Sequence, residues 1–372
     1  MKQLLKKIIS LRTRQKILQS IFGLWCFICK CMPLKNRVLF YTIRANGKLA
    51  DNSLAVYNAL DCEKSIFAHM LPHSLLLEFK ARYHLLTNKV IVTDDYVRYM
   101  RWMKLRKDQQ LIQIWHACGA FKKFALDAPS KLTPEEEKAT HSQYSAVAVT
   151  AEHCKKFYAQ AFGVSEDICL PLGLPRTDSV INGADAMRQK IYQRHPEFEG
   201  KRIYLYCPTF REDDGQQIEF DPMIDWAKLS AELDSDELFI IRRHPIMKYT
   251  LTDKEYPNII DLSDESTLEL TAASKAIITD YSSVIYDACL LDVPCVFYCP
   301  DYKNYERGFY LDFPDGLPGE MITDCSALLE TIRKTADSPN TEKLNKFKVQ
   351  QLSACDGHSA ERIAKLIKTY IG

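Results

Sequence analysis

The sequence predicts an α/β protein made of two doubly wound domains that follow a basic N-terminal helix. Three observations lead to this prediction. The chain has 372 residues, enough for two domains that each bury a core. Short, almost wholly apolar runs alternate with longer helical or polar stretches, as expected for parallel strands buried on both faces. The charge is uneven, since residues 1–50 hold eleven Lys and Arg and no Asp or Glu.

The composition is that of a folded protein from a reducing compartment. Hydrophobic residues make up 47% and charged residues 26% of the chain, which excludes disordered, collagen-like and low-complexity classes. The thirteen cysteines are odd in number and thinly spread, and no cleavable signal pattern precedes them. Cys26 and Cys29 have a C-x-x-C spacing, but the second pair that a zinc site needs does not follow. We expect free, buried cysteines.

Residues 1–35 predict a basic amphipathic helix on an anionic membrane surface. The longest apolar stretch, residues 17–32, is interrupted by polar side chains and is too short to cross a bilayer. The alternative is an ordinary first helix that packs on the protein. Nucleic acid is not expected as a partner, because no recognition motif accompanies the basic residues. At helical spacing, the segment combines apolar Leu4, Leu5, Ile8, Ile9 and Leu11 with basic Lys2, Lys6, Lys7, Arg12, Arg14 and Lys16.

The remaining chain divides into two series of strands. The predicted domains are residues 36–185 and 186–372, with a boundary where Asn182-Gly183 and His195-Pro196 punctuate the sequence. The clearest predicted strands of the first series are residues 37–41, 89–93, 111–115 and 146–150, and those of the second are 202–206, 237–241, 258–261, 276–279 and 295–298.

In open α/β sheets, ligands bind beyond the carboxyl ends of the strands, so the residues that follow each run are the candidates. His116 follows one strand and can act as a general base or be a buried structural histidine. Arg176 ends a rigid turn and can bind phosphate or simply pair with Asp178. The turn after His116 offers backbone N–H groups to an anion through Ala117, Cys118, Gly119 and Ala120.

The second series has the same character. Thr209, Arg211, Arg242, Arg243 and His244 follow its strands and would together form a pocket for a polyanion. A further strand leads into Ser282 and Ser283 at the start of an apolar helix. Either serine can be a simple N-cap, and the same geometry also makes a phosphate site.

Six ordered motifs, covering about residues 37–325, resemble the CDP-glycerol glycerophosphotransferase family, whose members build teichoic acids and some capsular polymers. The resemblance implies a GT-B architecture, with two Rossmann-like domains facing across a cleft. The acceptor domain would be N-terminal and the CDP-polyol domain C-terminal. It also implies a peripheral enzyme on the cytoplasmic side of the cell membrane. The motifs are Trp115-His116, Leu174 to Asp178, Cys207 to Arg211, Arg243-His244-Pro245, Thr279 to Ser283, and Asp301-Tyr302 through Arg307 to Tyr310.

The resemblance assigns roles to the candidates. It makes His116 the base that activates a hydroxyl of a lipid-linked glycan or teichoic acid acceptor, and it adds His244 as a catalytic group that neutralises the pyrophosphate together with Arg242. The donor would be CDP-glycerol or CDP-ribitol, and CMP would leave. Cationic side chains can stabilise the charge that develops, so neither a metal nor a cofactor is expected. The rest of the donor site would be Ser282, Ser283, Pro208, Thr209, Arg176 and Asp287.

One departure from the family pattern leaves the substrate open. Many members continue the Trp-His pair with Gly-Thr-Pro, whereas this chain has Ala-Cys-Gly-Ala-Phe at residues 117–121. The choice between glycerol phosphate and ribitol phosphate, and between adding one unit and many, therefore stays open. Two alternative functions are a GT-B glycosyltransferase that uses a nucleotide sugar and a membrane-surface scaffold without catalytic activity.

Overall fold

The structure is a computed structural model. The side chains of the predicted basic face are not among those that the structure describes, and neither are Pro245 and Arg307. The basic face comprises Lys2, Lys6, Lys7, Arg12, Arg14 and Lys16. The described residues are 11–69, 74–213, 216–244, 246–247, 249–252, 254–305 and 308–372.

A six-stranded parallel sheet forms the centre of the N-terminal half. Its strand order is β2-β1-β3-β4-β5-β6, so the direction of winding reverses between β1 and β3. Val38, Val92 and Ile112 are fully buried in its core, which explains the apolar runs. The elements are α1 (Leu11–Cys31), β1 (Lys35–Thr42), α2 (Asp51–Ala59), β2 (Lys64–Ala68), α3 (Leu75–Thr87), β3 (Asn88–Thr93), β4 (Gln110–Gln113), α4 (Pro134–His141), β5 (Ala146–Ala148), α5 (Lys155–Phe162) and β6 (Cys169–Leu170).

A second parallel six-stranded sheet forms the C-terminal half. Its order is β11-β10-β7-β12-β13-β14, and the winding reverses between β7 and β12. A short antiparallel hairpin of β8 and β9 lies outside this sheet. The elements are α6 (Arg176–Arg194), β7 (Arg202–Cys207), β8 (Arg211–Asp213), β9 (Gln216–Ile218), α7 (Trp226–Glu232), β10 (Glu237–Ile241), β11 (Ile259–Asp261), α8 (Thr267–Ala273), β12 (Ala276–Thr279), α9 (Val284–Leu290), β13 (Cys295–Tyr298), β14 (Glu320–Ile322), α10 (Leu328–Asp337), α11 (Thr341–Leu352) and α12 (Ser359–Ile371).

The last helix, α12, returns to the first sheet. Ile363 and Ile367 are fully buried in the same cluster as Val38 and Ile112. The predicted boundary near residue 185 stays a prediction, but in space the end of the chain covers one face of the N-terminal sheet. The helix does so because its apolar residues recur at the spacing of one helical face.

Helix α1 packs on α3 with one of its faces. The Trp25 indole Nε1 donates a hydrogen bond to the Phe79 carbonyl over 2.9 Å, and Cys29 is fully buried. The opposite face leaves Leu24 and Phe27 exposed by 62% and 65%. No helix in the described part of the chain is long and apolar enough to span a membrane.

Candidate active site

His116 is held at the end of β4 by a strained turn. Trp115, the residue before it, has a φ of +49°, which only a few per cent of non-glycine residues adopt. Two hydrogen bonds hold this turn: the Trp115 carbonyl accepts from Asn52 Nδ2 over 2.9 Å, and the Trp115 N–H donates to Gln113 Oε1 over 2.8 Å. The backbone therefore fixes the direction of the imidazole before any substrate is present.

The hydrogen bond of His116 defines its tautomer. Nδ1 lies 2.9 Å from the carbonyl oxygen of Asp94, and a carbonyl can only accept, so Nδ1 carries the proton and Nε2 keeps a lone pair. Burial, followed by the charge of Arg44, lowers the pKa of His116 below the ordinary histidine value of 6.5. A neutral imidazole with a free lone pair is the form required of a general base.

The turn after His116 is anchored to the rest of the protein. Gly119 has a φ of +61°, and a Cβ there would overlap the ring of Tyr286, so only glycine fits. The Gly119 N–H donates to Thr150 Oγ1 over 3.1 Å, and the Ala120 N–H donates to Gln351 Oε1 over 2.9 Å. These two N–H groups hold the turn in place, and the predicted binding of substrate by the turn stays a prediction.

Thr209 and the start of the next loop are held by a buried carboxylate. Asp280 follows β12 and accepts a hydrogen bond from the Thr209 N–H over 2.9 Å. Arg211 pairs with Asp280 over 2.8 Å and with Asp301 over 2.6 Å, and it is only 8% exposed. Arg211 therefore braces the loop, and a direct contact with substrate stays a prediction.

His244 presents a hydrogen-bond donor to the same region. Its ring lies 4.7 Å from the Phe210 ring, centroid to centroid, and its Nδ1 accepts from the Ile246 N–H over 3.3 Å. The neutral ring therefore carries its proton on Nε2. Burial, then the charges of Arg242 and Lys122, lowers the pKa of His244.

The two arginines that precede His244 are bound to other groups of the protein. Arg242 donates through Nε to the Glu265 carbonyl over 2.9 Å and through Nη1 to the Arg243 carbonyl. Arg243 pairs with Asp261 over 2.7 Å. Arg242 acts on His244 through its charge, whereas the contacts of Arg243 fasten the loop to the end of β11.

Ser282 and Ser283 connect β12 with α9. Ser282 Oγ accepts from the Val284 N–H over 3.3 Å, and Ser283 occupies the N-cap position without a side-chain capping bond. The Ser283 side chain is exposed at the surface of the cleft. Both hydroxyls keep donor capacity toward a ligand.

One cavity of about 270 Å³ brings many of these residues together. It lies between the carboxyl ends of β4 and β12, where the two halves of the chain face each other. Phe210 and Tyr281 also line it, although the sequence did not single them out as site residues, and so does Lys122 from the segment that follows the His116 turn. The predicted residues that line it are His116, Ala117, Cys118, Gly119, Thr209, His244, Ser282 and Ser283.

The other predicted residues lie around this cavity. Arg176, at the start of α6, pairs with Asp287 of α9 over 2.7 Å, within the C-terminal half. Pro208 and Ala120 are buried. Arg176 lines a second, larger cavity on the N-terminal side, and among the described residues His116 alone lines both cavities.

Sequence reasoning missed the residues that support the site. Asn52 Oδ1 accepts from the Arg176 N–H over 2.8 Å, so this one buried amide connects Arg176 to the Trp115 turn. Asp280 stands within a quoted motif, and its position directly after a strand could have identified it. No comparable signal marks Asn52, because its partners lie 63 and 124 residues away. Within the described ranges, no group of three His, Cys, Asp or Glu residues is arranged to hold a metal.

Two parallel-sheet α/β domains with a histidine-lined cavity between them make a GT-B-like architecture. A family model described as CDP-Glycerol:Poly(glycerophosphate) glycerophosphotransferase matches residues 26–369. The chain belongs to this family, as the motifs predicted.

Curated relatives and a solved structure agree with the assignment. A teichoic acid ribitol-phosphate primase of Bacillus spizizenii is 31% identical over 96% of this chain and 97% of its own length. A teichoic acid poly(ribitol-phosphate) polymerase of the same organism is 29% identical, and the match covers 95% of this chain but only 60% of that polymerase. The wall teichoic acid polymerase TagF has the same fold, with a TM-score of 0.73 and 22% identity over 97% of this chain and 96% of that chain.

Proposed function

We propose that this enzyme transfers a polyol phosphate from a CDP-activated polyol to a hydroxyl of a lipid-linked or polymeric teichoic-acid-type acceptor. The observation that carries the proposal is the 270 Å³ cavity, in which His116 of one half faces His244, Ser282 and Ser283 of the other. Membership of the glycerophosphotransferase family supports the same reaction.

The proposed reaction is an in-line displacement at the β-phosphorus of the donor. His116 Nε2 takes the proton of the acceptor hydroxyl as its oxygen forms a bond to that phosphorus. The bond from the phosphorus to the bridging oxygen of the pyrophosphate breaks, and CMP leaves with the electron pair. The Nε2–H of His244 and the hydroxyls of Ser282 and Ser283 would contact the donor phosphates. Alignment and charge stabilisation supply most of the catalysis in phosphoryl transfer.

Ribitol phosphate is the polyol phosphate that we favour. The support is the ribitol-phosphate primase that matches along nearly the whole length of both chains.

The test is a donor panel with the purified protein. CDP-ribitol, CDP-glycerol and UDP-sugars are each incubated with a short soluble polyol phosphate acceptor, and CMP and UDP release is measured. We expect CMP release with a CDP-polyol, faster with CDP-ribitol. UDP release from a nucleotide sugar would support the glycosyltransferase alternative, and no release together with no thermal shift would support the scaffold.

We also propose that the enzyme binds the cytoplasmic surface of the cell membrane as a peripheral protein. The apolar face of α1 that points away from α3, with Leu24 and Phe27, would enter the interface. The eleven basic residues among residues 1–50 would attract anionic lipids.

A further inference from the structure

The larger cavity beside His116 has no role in the reaction as described so far. Its volume is about 660 Å³, and its lining includes Arg44, Asp51, Leu54, Asp94 and Arg176. Arg44 follows β1 and Asp94 follows β3, the two neighbouring strands between which the first sheet reverses its winding. Ligands of open α/β sheets bind at this kind of switch point. The second sheet places Thr209 and Ser282 at its own switch point, so each half of the protein has one.

Asp94 has an unused hydrogen-bond acceptor. The residue is 5% exposed, and its Oδ2 accepts from Ser53 Oγ over 2.8 Å. Its Oδ1 is buried and has no partner at ordinary hydrogen-bond distance among the described residues, although the nearby Thr42 hydroxyl, like that of Ser53, offsets part of the rise in the Asp94 pKa that burial causes. Leaving a buried acceptor without a partner is costly, so such a group in a native protein calls for an explanation. A hydroxyl group of a ligand in the adjoining cavity would satisfy it.

His116 connects the two cavities. Its Nδ1 is held by the backbone carbonyl of Asp94. The residue that orients the imidazole is therefore the same one that carries the carboxylate. A ligand with neighbouring hydroxyls can therefore place one on Asp94 and another at His116. The smaller cavity holds His244 and both serines, which suits it to the donor phosphates.

The charges of the larger cavity fit a polyol that carries a phosphate. Arg44 is exposed and lies 3.5 Å from Asp95, a long and weak ion pair that leaves the guanidinium able to contact an anion. Two residues that line the cavity, Ala45 and Asp51, have positive φ angles of +48° and +45°. Conformations of this kind cluster at ligand sites, where the surrounding structure maintains them.

We propose that the 660 Å³ cavity binds the hydroxyl-bearing end of the acceptor, with Asp94 accepting a hydrogen bond from one of its hydroxyls and Arg44 contacting its phosphodiester. The ligand is thus a chain of hydroxylated carbons next to a phosphate. The acceptor role rests on the proposed transferase function, whereas binding to the cavity can be measured without it.

The experiment uses two variants of the full chain and one control. Leu54→Trp fills the cavity from an exposed position of α2, and Asp94→Asn removes the charge but keeps an oxygen that can accept from Ser53. Val349→Trp, at an exposed position of α11 outside both cavities, is the control. The probe is a synthetic polyol phosphate oligomer, whose binding is followed by calorimetry without donor and whose KM is measured with donor. We expect Leu54→Trp and Asp94→Asn to weaken oligomer binding and raise its KM at least tenfold, while the Kd for CDP-ribitol changes less than twofold.

Two results would overturn the assignment. Unchanged oligomer binding in both variants would show that the cavity does not hold the acceptor. A weaker Kd for CDP-ribitol in Leu54→Trp, with oligomer binding unchanged, would show that the cavity belongs to the donor. If wild-type protein binds the oligomer but releases no CMP from any donor, the proposed transferase function fails and the cavity assignment is still decided by the calorimetry.

Discussion

At the scale of single residues, the site depends on side chains whose hydrogen bonds are set by backbone groups. His116 bonds to a carbonyl and His244 accepts from an N–H, so the two rings carry their protons on opposite nitrogens. The lone pair of one ring and the N–H of the other are thereby both directed away from the backbone. The same residue type therefore offers a lone pair in one environment and a hydrogen-bond donor in the other.

The first prediction concerns the base. His116→Ala is expected to reduce turnover by at least a hundredfold, because general-base catalysis typically contributes about 10²–10⁴ in rate. Binding of CDP-ribitol should stay within a few-fold of wild type, since the base acts on the acceptor. Product release assays and calorimetry measure the two quantities. Normal turnover in this variant would remove His116 from the mechanism.

The second prediction concerns the donor phosphates. His244→Ala should weaken binding of the CDP-polyol, because a hydrogen bond to a charged group contributes about 1.5–3 kcal/mol. The matched control is His358→Ala, a histidine that is exposed in the loop before α12. Calorimetry on both variants should show weaker binding for the first alone. Equal affinities would show that His244 does not touch the donor.

At the scale of secondary structure elements, the sequence predicted the apolar strands and missed two edge strands that begin with a charged residue. All nine predicted strands occur, and β10, β12 and β13 have the predicted bounds, since a run buried on both faces is apolar throughout. The strands β2 and β14 were missed because they lie at sheet edges and begin with charged Lys64 and Glu320. Asn182 and Gly183, expected to punctuate the chain, lie inside α6, where Asn182 donates to the Gly357 carbonyl over 3.1 Å.

The candidate site, too, was predicted from the sequence only in part. The rule that ligands bind at strand ends found His116, His244, Thr209 and both serines, and the structure places them around one cavity. The rule could not separate a ligand-binding arginine from a bracing one. The partner of Arg211, Asp301, lies 90 residues further along the chain, and only tertiary structure brings the two together.

The third prediction tests this bracing role. Arg211→Ala should lower the free energy of unfolding by about 3–5 kcal/mol, because it leaves the carboxylates of Asp280 and Asp301 without their buried partner. Urea denaturation followed by circular dichroism measures the change. A variant of unchanged stability that no longer binds CDP-ribitol would instead assign Arg211 to the substrate, as the sequence first suggested.

At the scale of the whole molecule, contacts across the cleft fix the positions of the two halves relative to each other. The Arg176 N–H donates to Asn52 Oδ1 over 2.8 Å, and the Lys123 N–H donates to the Gly308 carbonyl over 3.0 Å. Helix α12 crosses back to cover the first sheet. His116 comes from one half and His244 from the other, so these contacts set the distance between the proposed base and the proposed donor-binding residues.

The position of α1 determines how its membrane role must be tested. Trp25 and Cys29 contribute to the packing of the N-terminal half, so removing residues 1–32 would take away part of that half as well as the basic segment. Substitutions on the exposed face avoid this problem. The alternative of a packed first helix and the prediction of an interfacial helix therefore concern two different faces of α1.

The last prediction uses those two faces. Leu24→Gln combined with Phe27→Gln should leave the protein folded but reduce its sedimentation with anionic vesicles, because both side chains are exposed and their apolar area would no longer enter the interface. Trp25→Ala, on the packed face, should lower stability instead. Wild-type binding should weaken with added salt, since each basic residue near an anionic surface contributes about 1 kcal/mol that is screened. Circular dichroism confirms folding in each case, and a folded double variant that sediments as well as wild type would exclude this face of α1 as the anchor.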